Sequence, residues 1–105
     1  ELARGAEAVG AFFAGLVRLH GGSPGTKHLV LNTVLESVGT ELVHARSSYV
    51  VLQALQGMRL QPVIAGRYED RFERGADGTW HFGERRFTVD LSGDLSRHLR
   101  LPVDP

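Results

Sequence analysis

The sequence has no cysteine and no excess of charge of either sign. Of its 105 residues, 12 are Lys or Arg and 12 are Asp or Glu, so the formal net charge is zero with neutral histidines. The lack of cysteine excludes disulfides, thiolate metal sites and a cysteine nucleophile. The balanced charge argues against a broad surface for nucleic-acid phosphates, so we expect no nucleic-acid partner.

Long apolar runs are also missing from the chain. None reaches the roughly 18 residues of a membrane-spanning helix, and no charged leader precedes an apolar segment. Hydrophobic residues make up 42% of the chain and charged residues 23%, values typical of folded domains rather than of disordered segments. We therefore expect one soluble, cytoplasmic domain over residues 1–105, with no membrane partner.

The hydrophobic pattern predicts one helix followed by four strands. Apolar side chains recur at helical spacing from about residue 2 to residue 19, and a glycine-rich segment then ends the helix. Segments rich in apolar and β-branched residues follow, separated by turn residues. The predicted strands cover residues 27–37, 41–55, 59–74 and 79–90, and a tail covers residues 91–105. This order predicts an α+β domain in which the helix packs on a four-stranded antiparallel sheet.

The last two strands can be placed in register by their charges. If Asp77 and Gly78 form a two-residue turn, facing residues of opposite charge pair up. The predicted pairs are Glu69 with Arg86, Asp70 with Arg85, and Arg71 with Glu84. Each such pair is worth about 0.2–1 kcal/mol, and a slip of one residue would place like charges opposite each other. A three-residue loop with a bulge stays open as the alternative and would shift the pairing locally.

No familiar cofactor motif is present. The five histidines are not arranged at a metal-ligand spacing, and no glycine-rich loop joins a strand to a helix N-terminus. The nucleophile motif GxSxG is also absent from the sequence. We therefore expect neither a metal nor an organic cofactor.

His28 is the strongest catalytic candidate. It enters an apolar strand directly after the glycine-rich connection, and strand alternation predicts a shared face with Asn32. An imidazole in a partly apolar cavity can exchange protons near neutral pH, and a nearby amide can orient a carbonyl. From the residues alone, a histidine bonded to the backbone at a strand start is the more common case.

Other candidate residues have simpler structural explanations. Asp70 and Arg85 are predicted to form an inward-facing ion pair between strands, rather than a base and an anion clamp. Phe12 and Phe13 are expected to pack the helix on the sheet and so to line a pocket. Tyr68 is expected to be a core or rim aromatic residue.

The order of these motifs resembles the SnoaL-like family of the nuclear transport factor 2-like superfamily. A helix precedes His28-Leu-Val-Leu-Asn32, and a long strand then leads to a hairpin. The hairpin carries Gly66-Arg-Tyr-Glu-Asp70, Arg74, Asp77-Gly78, Trp80 and Arg85. The resemblance extends from the helix to about Asp90.

The resemblance implies a cone-shaped, curved antiparallel sheet with a pocket inside, and a homodimer formed through the outer face of the sheet. It also implies cofactor-independent cyclase, dehydratase or isomerase chemistry on a hydrophobic, polyketide- or steroid-like molecule. His28 is then the catalytic residue, and the substrate-binding residues are Asn32, Phe12, Phe13 and Tyr68. A complete family member has further helices ahead of the one seen here, so the resemblance implies a partial domain. The alternative is a non-catalytic ligand-binding or dimerising accessory domain, like the β subunits of ring-hydroxylating dioxygenases.

Overall fold

The described part of the domain contains one helix and one sheet. The computed structural model describes residues 1–100. Its elements are α1 (Ala6–Leu16), β1 (Thr26–Ser37), β2 (Leu42–Leu55), β3 (Met58–Arg74) and β4 (Trp80–Ser92). The antiparallel sheet has the strand order β1-β2-β3-β4, so the α+β class and the predicted order of elements are confirmed. Residues 101–105 of the predicted tail lie outside the described residues. Among the described helical residues, no stretch is long and apolar enough to cross a membrane.

The two faces of the sheet differ in burial. From Ala45 to Gln53 in β2, every second side chain is buried, and the residues between them are partly or fully exposed. The buried positions are Ala45, Ser47, Tyr49, Val51 and Gln53. Because side chains alternate across a strand, these positions define one face of the sheet, here called the inner face. The opposite face is called the outer face.

The hydrophobic core lies at one end of the inner face. It consists of Tyr49, Val51, Met58, Val63, Ile64 and Leu95, with Leu55, Tyr68 and Leu99 packed against it. A bulge on β3 lets the consecutive residues Val63 and Ile64 both reach the core, since the pairing with β2 shifts there. Leu95 follows β4, so the C-terminal segment completes the core.

The β3–β4 hairpin has the predicted charge register but not the predicted two-residue turn. All three predicted pairs are present, namely Glu69–Arg86, Asp70–Arg85 and Arg71–Glu84. The loop is the three-residue alternative, in which the Gly75 N–H donates to the Thr79 carbonyl at 2.8 Å and the Gly78 N–H to the Gly75 carbonyl at 2.9 Å. Gly78 has a φ of 83°, a value that glycine adopts without strain. A bulge at Gly83 then restores the register that the shorter turn would have given.

The same bulge changes the face on which Phe82 lies. Unbroken alternation from Arg85 would place Phe82 on the outer face, whereas the bulge pairs Phe82 with Phe72 on the inner face. The two ring centroids are 4.5 Å apart. The inner face therefore continues as an aromatic surface toward the hairpin loop.

Helix α1 packs less closely than predicted. It is shorter than the predicted helix over residues 2–19, none of its residues is buried, and Phe13 is 43% exposed. The prediction that Phe12 and Phe13 pack the helix on the sheet is therefore wrong, and the two rings instead meet edge to face. The chain after α1 is bonded to the C-terminal segment, where Val17 pairs with Leu99.

Gly66 permits a close approach of β2, β3 and β4. Above it, the Tyr49 hydroxyl donates to the Thr88 carbonyl at 2.9 Å. A Cβ on Gly66 would overlap the Thr88 carbonyl oxygen and lie 2.8 Å from the Tyr49 Oη. We expect Gly66→Ala to lower the free energy of unfolding by about 1–3 kcal/mol, because the strands must move apart. Urea unfolding measures this loss.

Gly10→Ala in α1 is the matched control for Gly66→Ala. Nothing lies within 4 Å of a Cβ built at Gly10, and alanine favours a helix over glycine. This variant should lose no stability. Equal losses in the two variants would contradict the steric explanation.

Candidate functional site

His28 lies on the inner face beside the core. β1 pairs with β2 so that His28 faces Val51 and Thr26 faces Gln53. The residue is exposed. None of the hydrogen bonds among residues 1–100 involves the ring of His28, whereas the ring of His20 is bonded to the backbone. The imidazole of His28 is therefore open to a ligand.

Gln53 organises this end of the inner face. The residue is fully buried, and its Nε2 donates to the Pro24 carbonyl at 3.1 Å and to the Arg97 carbonyl at 3.0 Å. The Arg97 carbonyl also accepts from the His20 Nε2 at 2.7 Å, so His20 carries its proton on that nitrogen. One buried amide thus joins the loop before β1, the strand β2 and the segment after β4.

The segment after β4 forms a turn, residues 94–100, which is called the C-terminal turn. The N–H groups of His98 and Leu99 both donate to the Leu95 carbonyl, which closes one helical turn. The backbone N–H of Arg18 donates to the His98 carbonyl at 2.8 Å, and the Arg18 Nε donates to the Leu99 carbonyl at 3.0 Å. The turn is therefore bonded to the chain after α1 as well as to Gln53.

His98 also belongs to this site, although no motif or periodicity indicated it. It is 5% exposed, and its Nδ1 has no hydrogen-bond partner within residues 1–100. The Oε1 of Gln53 is likewise buried without a partner in that range. Burial, and then the charge of nearby His28, lowers the pKa of His98 below 6.5, so the ring is neutral at pH 7.

A second polar group lies toward the other end of the inner face. Asp70 is 7% exposed, and Arg85 donates to its carboxylate oxygens through Nε at 2.8 Å and Nη2 at 3.0 Å. This bonding raises the pKa of Arg85. The guanidinium carbon lies 3.8 Å from the Tyr68 ring centroid and 4.8 Å from that of Phe82. The predicted ion pair between the strands is confirmed.

Two stacked tyrosines connect the ends of the inner face. The ring centroids of Tyr49 and Tyr68 are 4.3 Å apart, with an angle of 17° between the ring planes. Burial is the main cause that raises the pKa of both hydroxyls, so both remain protonated at neutral pH. A protonated phenol can donate a hydrogen bond but cannot act as a base.

The two polar ends are too far apart to share a small ligand. His28 faces Val51 and Asp70 faces Ala45, and these two β2 residues are six positions apart. At about 3.3 Å per residue, the separation is about 20 Å along the strand. A small ligand beside His28 therefore does not reach the Asp70–Arg85 pair.

Asn32 lies on a bulge rather than in regular strand. The pairing of β1 with β2 shifts between Leu31 and Val34, and Asn32 has a φ of 54°. Asparagine tolerates this left-handed region better than most residues. The bulge places Asn32 and Thr33 together opposite the inner-face residue Ser47, so a shared face for His28 and Asn32 stays a prediction. The structure brings His28 and Tyr68 to the inner face and leaves Phe12 and Phe13 on α1.

An open cleft lies on the outer face. It has a volume of about 450 Å³ and is lined mainly by ionisable side chains, namely Glu36, His44, Arg46, Glu69, Arg71, Glu84 and Arg86. Glu84 bonds both Arg71 at 3.1 Å and Arg86 at 2.7 Å, so Arg86 bonds along its own strand rather than across to Glu69. Among residues 1–100, no group of three or more His, Asp or Glu side chains could hold a metal ion.

Comparisons with known proteins give one family and one solved structure. The family model described as SnoaL-like domain matches residues 2–86. A structure of a single-residue variant of Rv3472, a protein of unknown function from Mycobacterium tuberculosis, is similar with a TM-score of 0.55 and 29% sequence identity. The similarity covers 62% of this chain and 39% of that one, so the chain spans about two fifths of its length. No curated protein matches the chain.

Breaking the Asp70–Arg85 pair should lower the stability of the protein. We expect Arg85→Met to lower the free energy of unfolding by about 1–3 kcal/mol, because the buried Asp70 carboxylate loses its partner. The double variant Asp70→Asn, Arg85→Met should recover part of the loss, because no unpaired charge remains buried. Urea unfolding of the wild type, both single variants and the double variant gives the coupling energy.

The Arg67–Asp90 pair is the matched control. Its side chains are 63% and 40% exposed, so solvent screens the pair and Arg67→Met should cost much less stability than Arg85→Met. If Arg67→Met and Arg85→Met proved equally costly, burial of Asp70 would not be the cause.

Proposed function

Because the chain belongs to the SnoaL-like domain family of the nuclear transport factor 2-like superfamily, we propose that it catalyses cofactor-independent acid–base chemistry on a hydrophobic, oxygenated small molecule. His28 is the acid–base group, and the reaction is a cyclisation, dehydration or isomerisation of a polyketide- or steroid-like substrate. The observation that carries the proposal is the position of His28. It is exposed on the inner face and faces Val51 of the buried core.

An imidazole in this position suits proton transfer. It can remove a proton from a carbon next to a carbonyl and return it to another atom of the same molecule. An isomerisation then balances within the substrate, whereas in a dehydration the imidazolium gives the proton to the departing hydroxyl group, which leaves as water while the C=C bond forms. The half-exposed Val30, two positions along β1, supplies apolar surface beside His28, and the buried Val51 lies under it.

Tyr68 supplies a second contact for a substrate of sufficient length. It faces Ser47, which lies four positions along β2 from Val51, the partner of His28. That spacing corresponds to about 13 Å. A molecule of several fused rings can therefore touch both residues, and the protonated Tyr68 hydroxyl can donate to a substrate oxygen.

Proton exchange at a carbon acid tests the role of His28. The probe is a β,γ-unsaturated ketosteroid in D₂O, followed by the absorbance of the conjugated enone and by NMR of deuterium uptake. We expect His28→Ala to lower the rate by about 10²–10⁴-fold. Its free energy of unfolding should change by less than about 0.5 kcal/mol, because an exposed ring without hydrogen bonds contributes little.

His81→Ala is the control for that measurement. His81 is exposed near the hairpin loop, at the far end of the sheet, and should not affect the exchange rate. An unchanged rate in His28→Ala would exclude its catalytic role. A large loss of stability in His28→Ala would instead identify a structural histidine.

A non-catalytic accessory domain is the second candidate function. The observation that favours it is the apolar surface left open on α1 and the inner face, where Phe13, Val30, Phe82 and Val89 are 43%, 53%, 54% and 52% exposed. Such a surface suits a hydrophobic ligand or a partner subunit. Wild-type protein that binds the ketosteroid without exchanging its protons would support this function over catalysis.

We also propose that two copies of the chain associate through the outer face. Leu31 and Leu91 occupy outer-face positions and are 45% and 71% exposed. Both signs of charge line the adjoining cleft, so a second copy can present complementary charges to it. This homodimer leaves the inner face of each copy available to a ligand.

Neighbouring residues on opposite faces provide the test of the dimer. Leu31→Glu should give a monomer, because it places a charge in the apolar part of the interface. Val30→Glu changes the inner face and should leave the dimer intact. Light scattering after size-exclusion chromatography gives the mass of each species. A wild-type mass equal to one chain, or dissociation by Val30→Glu alone, would contradict this arrangement.

A further inference from the structure

We propose that the C-terminal turn is a latch beside His28 and that protonation of His98 releases it. The latch controls access to the apolar end of the inner face. Only the effect of that access on catalysis at His28 rests on the proposed function. The proposal stands on the hydrogen bonds that close the turn, on the burial of His98, and on the charges around it.

The closed latch covers the apolar floor of the inner face. Leu95 of the turn packs with Val51 and Val63, which are 1% and 0% exposed. Val51 is also the residue that faces His28. Lifting the turn would therefore expose apolar surface next to His28, where a hydrophobic ligand could bind.

Hydrogen bonds from three directions hold the latch closed. Gln53 in β2 and His20 in the loop before β1 both donate to the Arg97 carbonyl, at 3.0 and 2.7 Å. The N–H of Arg100 donates to the Leu16 carbonyl at the end of α1, at 2.8 Å. The turn itself spans residues 94–100, so a few contacts decide its position.

Two polar atoms oppose closure. Within residues 1–100, the Oε1 of Gln53 and the Nδ1 of His98 are buried without a hydrogen-bond partner. Each atom loses its bonds to water when the latch closes and regains them when it opens. The closed state is therefore less stable than its hydrogen bonds alone would make it.

A protonated His98 is not tolerated in the closed latch. Both ring nitrogens carry protons in the cation, and the buried Nδ1 has no acceptor within the described residues. The ionisable residues on the elements around the turn are mainly basic, namely His28, His20, Arg18, Arg97 and Arg100. Asp94 is the carboxylate of the turn, and it accepts a bond from the Ser96 N–H at 3.0 Å.

The direction of the pH effect follows from these contacts. Burial and the charge of His28 lower the pKa of His98 in the closed state below its ordinary value of 6.5. The open turn binds the proton near 6.5, so opening takes up a proton as the pH falls below that value. The closed latch is thus fully favoured above about pH 6.5 and is lost progressively below it.

Hydrogen exchange measured by NMR tests the latch in the full-length protein without substrate. The reporters are the amides of Leu99, Arg100 and Arg18, whose protection factors are corrected for the intrinsic effect of pH. We expect their protection to fall by up to about tenfold per pH unit below 6.5, as linkage to one proton requires. The amides of Tyr49 and Val51 should keep their protection, which separates release of the latch from global unfolding.

Two variants separate the effect of His98 titration from the effect of the Gln53 hydrogen bonds. His98→Leu removes the titrating group and should make the protection of these amides independent of pH between 5 and 7, to within about twofold. Gln53→Leu removes two hydrogen bonds and should lower protection at every pH by about tenfold, with the same pH dependence. A flat profile in the wild type, or an unchanged pH dependence in His98→Leu, would overturn the latch.

The ring protons of His98 in the wild type give an independent measurement if His98→Leu does not fold. Their chemical shifts should titrate below pH 6.5, together with the loss of protection, and titration above that value would overturn the proposal. The hydrogen-exchange test of the latch and the proton-exchange test of catalysis can fail independently. Failure of proton exchange on the ketosteroid with a normal latch profile would reject the proposed function and leave the latch standing.

Discussion

The buried amide of Gln53 is the contact on which the arrangement of the inner face depends. Its two donated bonds reach Pro24 and Arg97, which are 29 and 44 residues away in the sequence. They fix the entry to β1 and the position of the C-terminal turn relative to the central strand β2. His28 lies two residues after Thr26, the strand partner of Gln53, so the same contact sets where the imidazole stands. An apolar residue in this place could fill the volume but could not join three backbone segments.

The inner face has two regions that are held in different ways. Tyr49, Tyr68, Arg85 and Phe82 stack in a continuous row across three strands, and the bidentate bond to Asp70 locks that row. Rings and a guanidinium held in this way have little freedom left to lose when a ligand binds. The His28 end is held instead by hydrogen bonds to a short turn. The first region therefore has a fixed shape, whereas the second depends on the position of that turn.

Regular periodicity was enough to predict the order of elements, and the pairing of opposite charges was enough to predict the register of the hairpin. The sequence could not predict where that periodicity breaks, at Asn32, Val63 and Gly83, because bulges arise from the pairing of two strands. The apolar pattern of α1 indicated a buried face, which the described residues do not provide. Gln53 and His98 were missed because a polar side chain in an apolar strand or a tail has no local signature. Their burial depends on partners distant in sequence. The cytoplasmic location, like the ligand, stays a prediction.

The bulges also bear on how this sheet meets other molecules. β1 and β4 are its two edges, and each has an interrupted ladder, β1 at Asn32 and β4 at Gly83 and near Asp90. A long, regular edge strand offers a neighbouring chain a row of free backbone groups, which is how open sheets join into fibrils. Irregular edges shorten that row and twist it away from a flat partner. An exposed four-stranded sheet can therefore keep apolar faces for specific partners, while its irregular edge strands disfavour edge-to-edge aggregation.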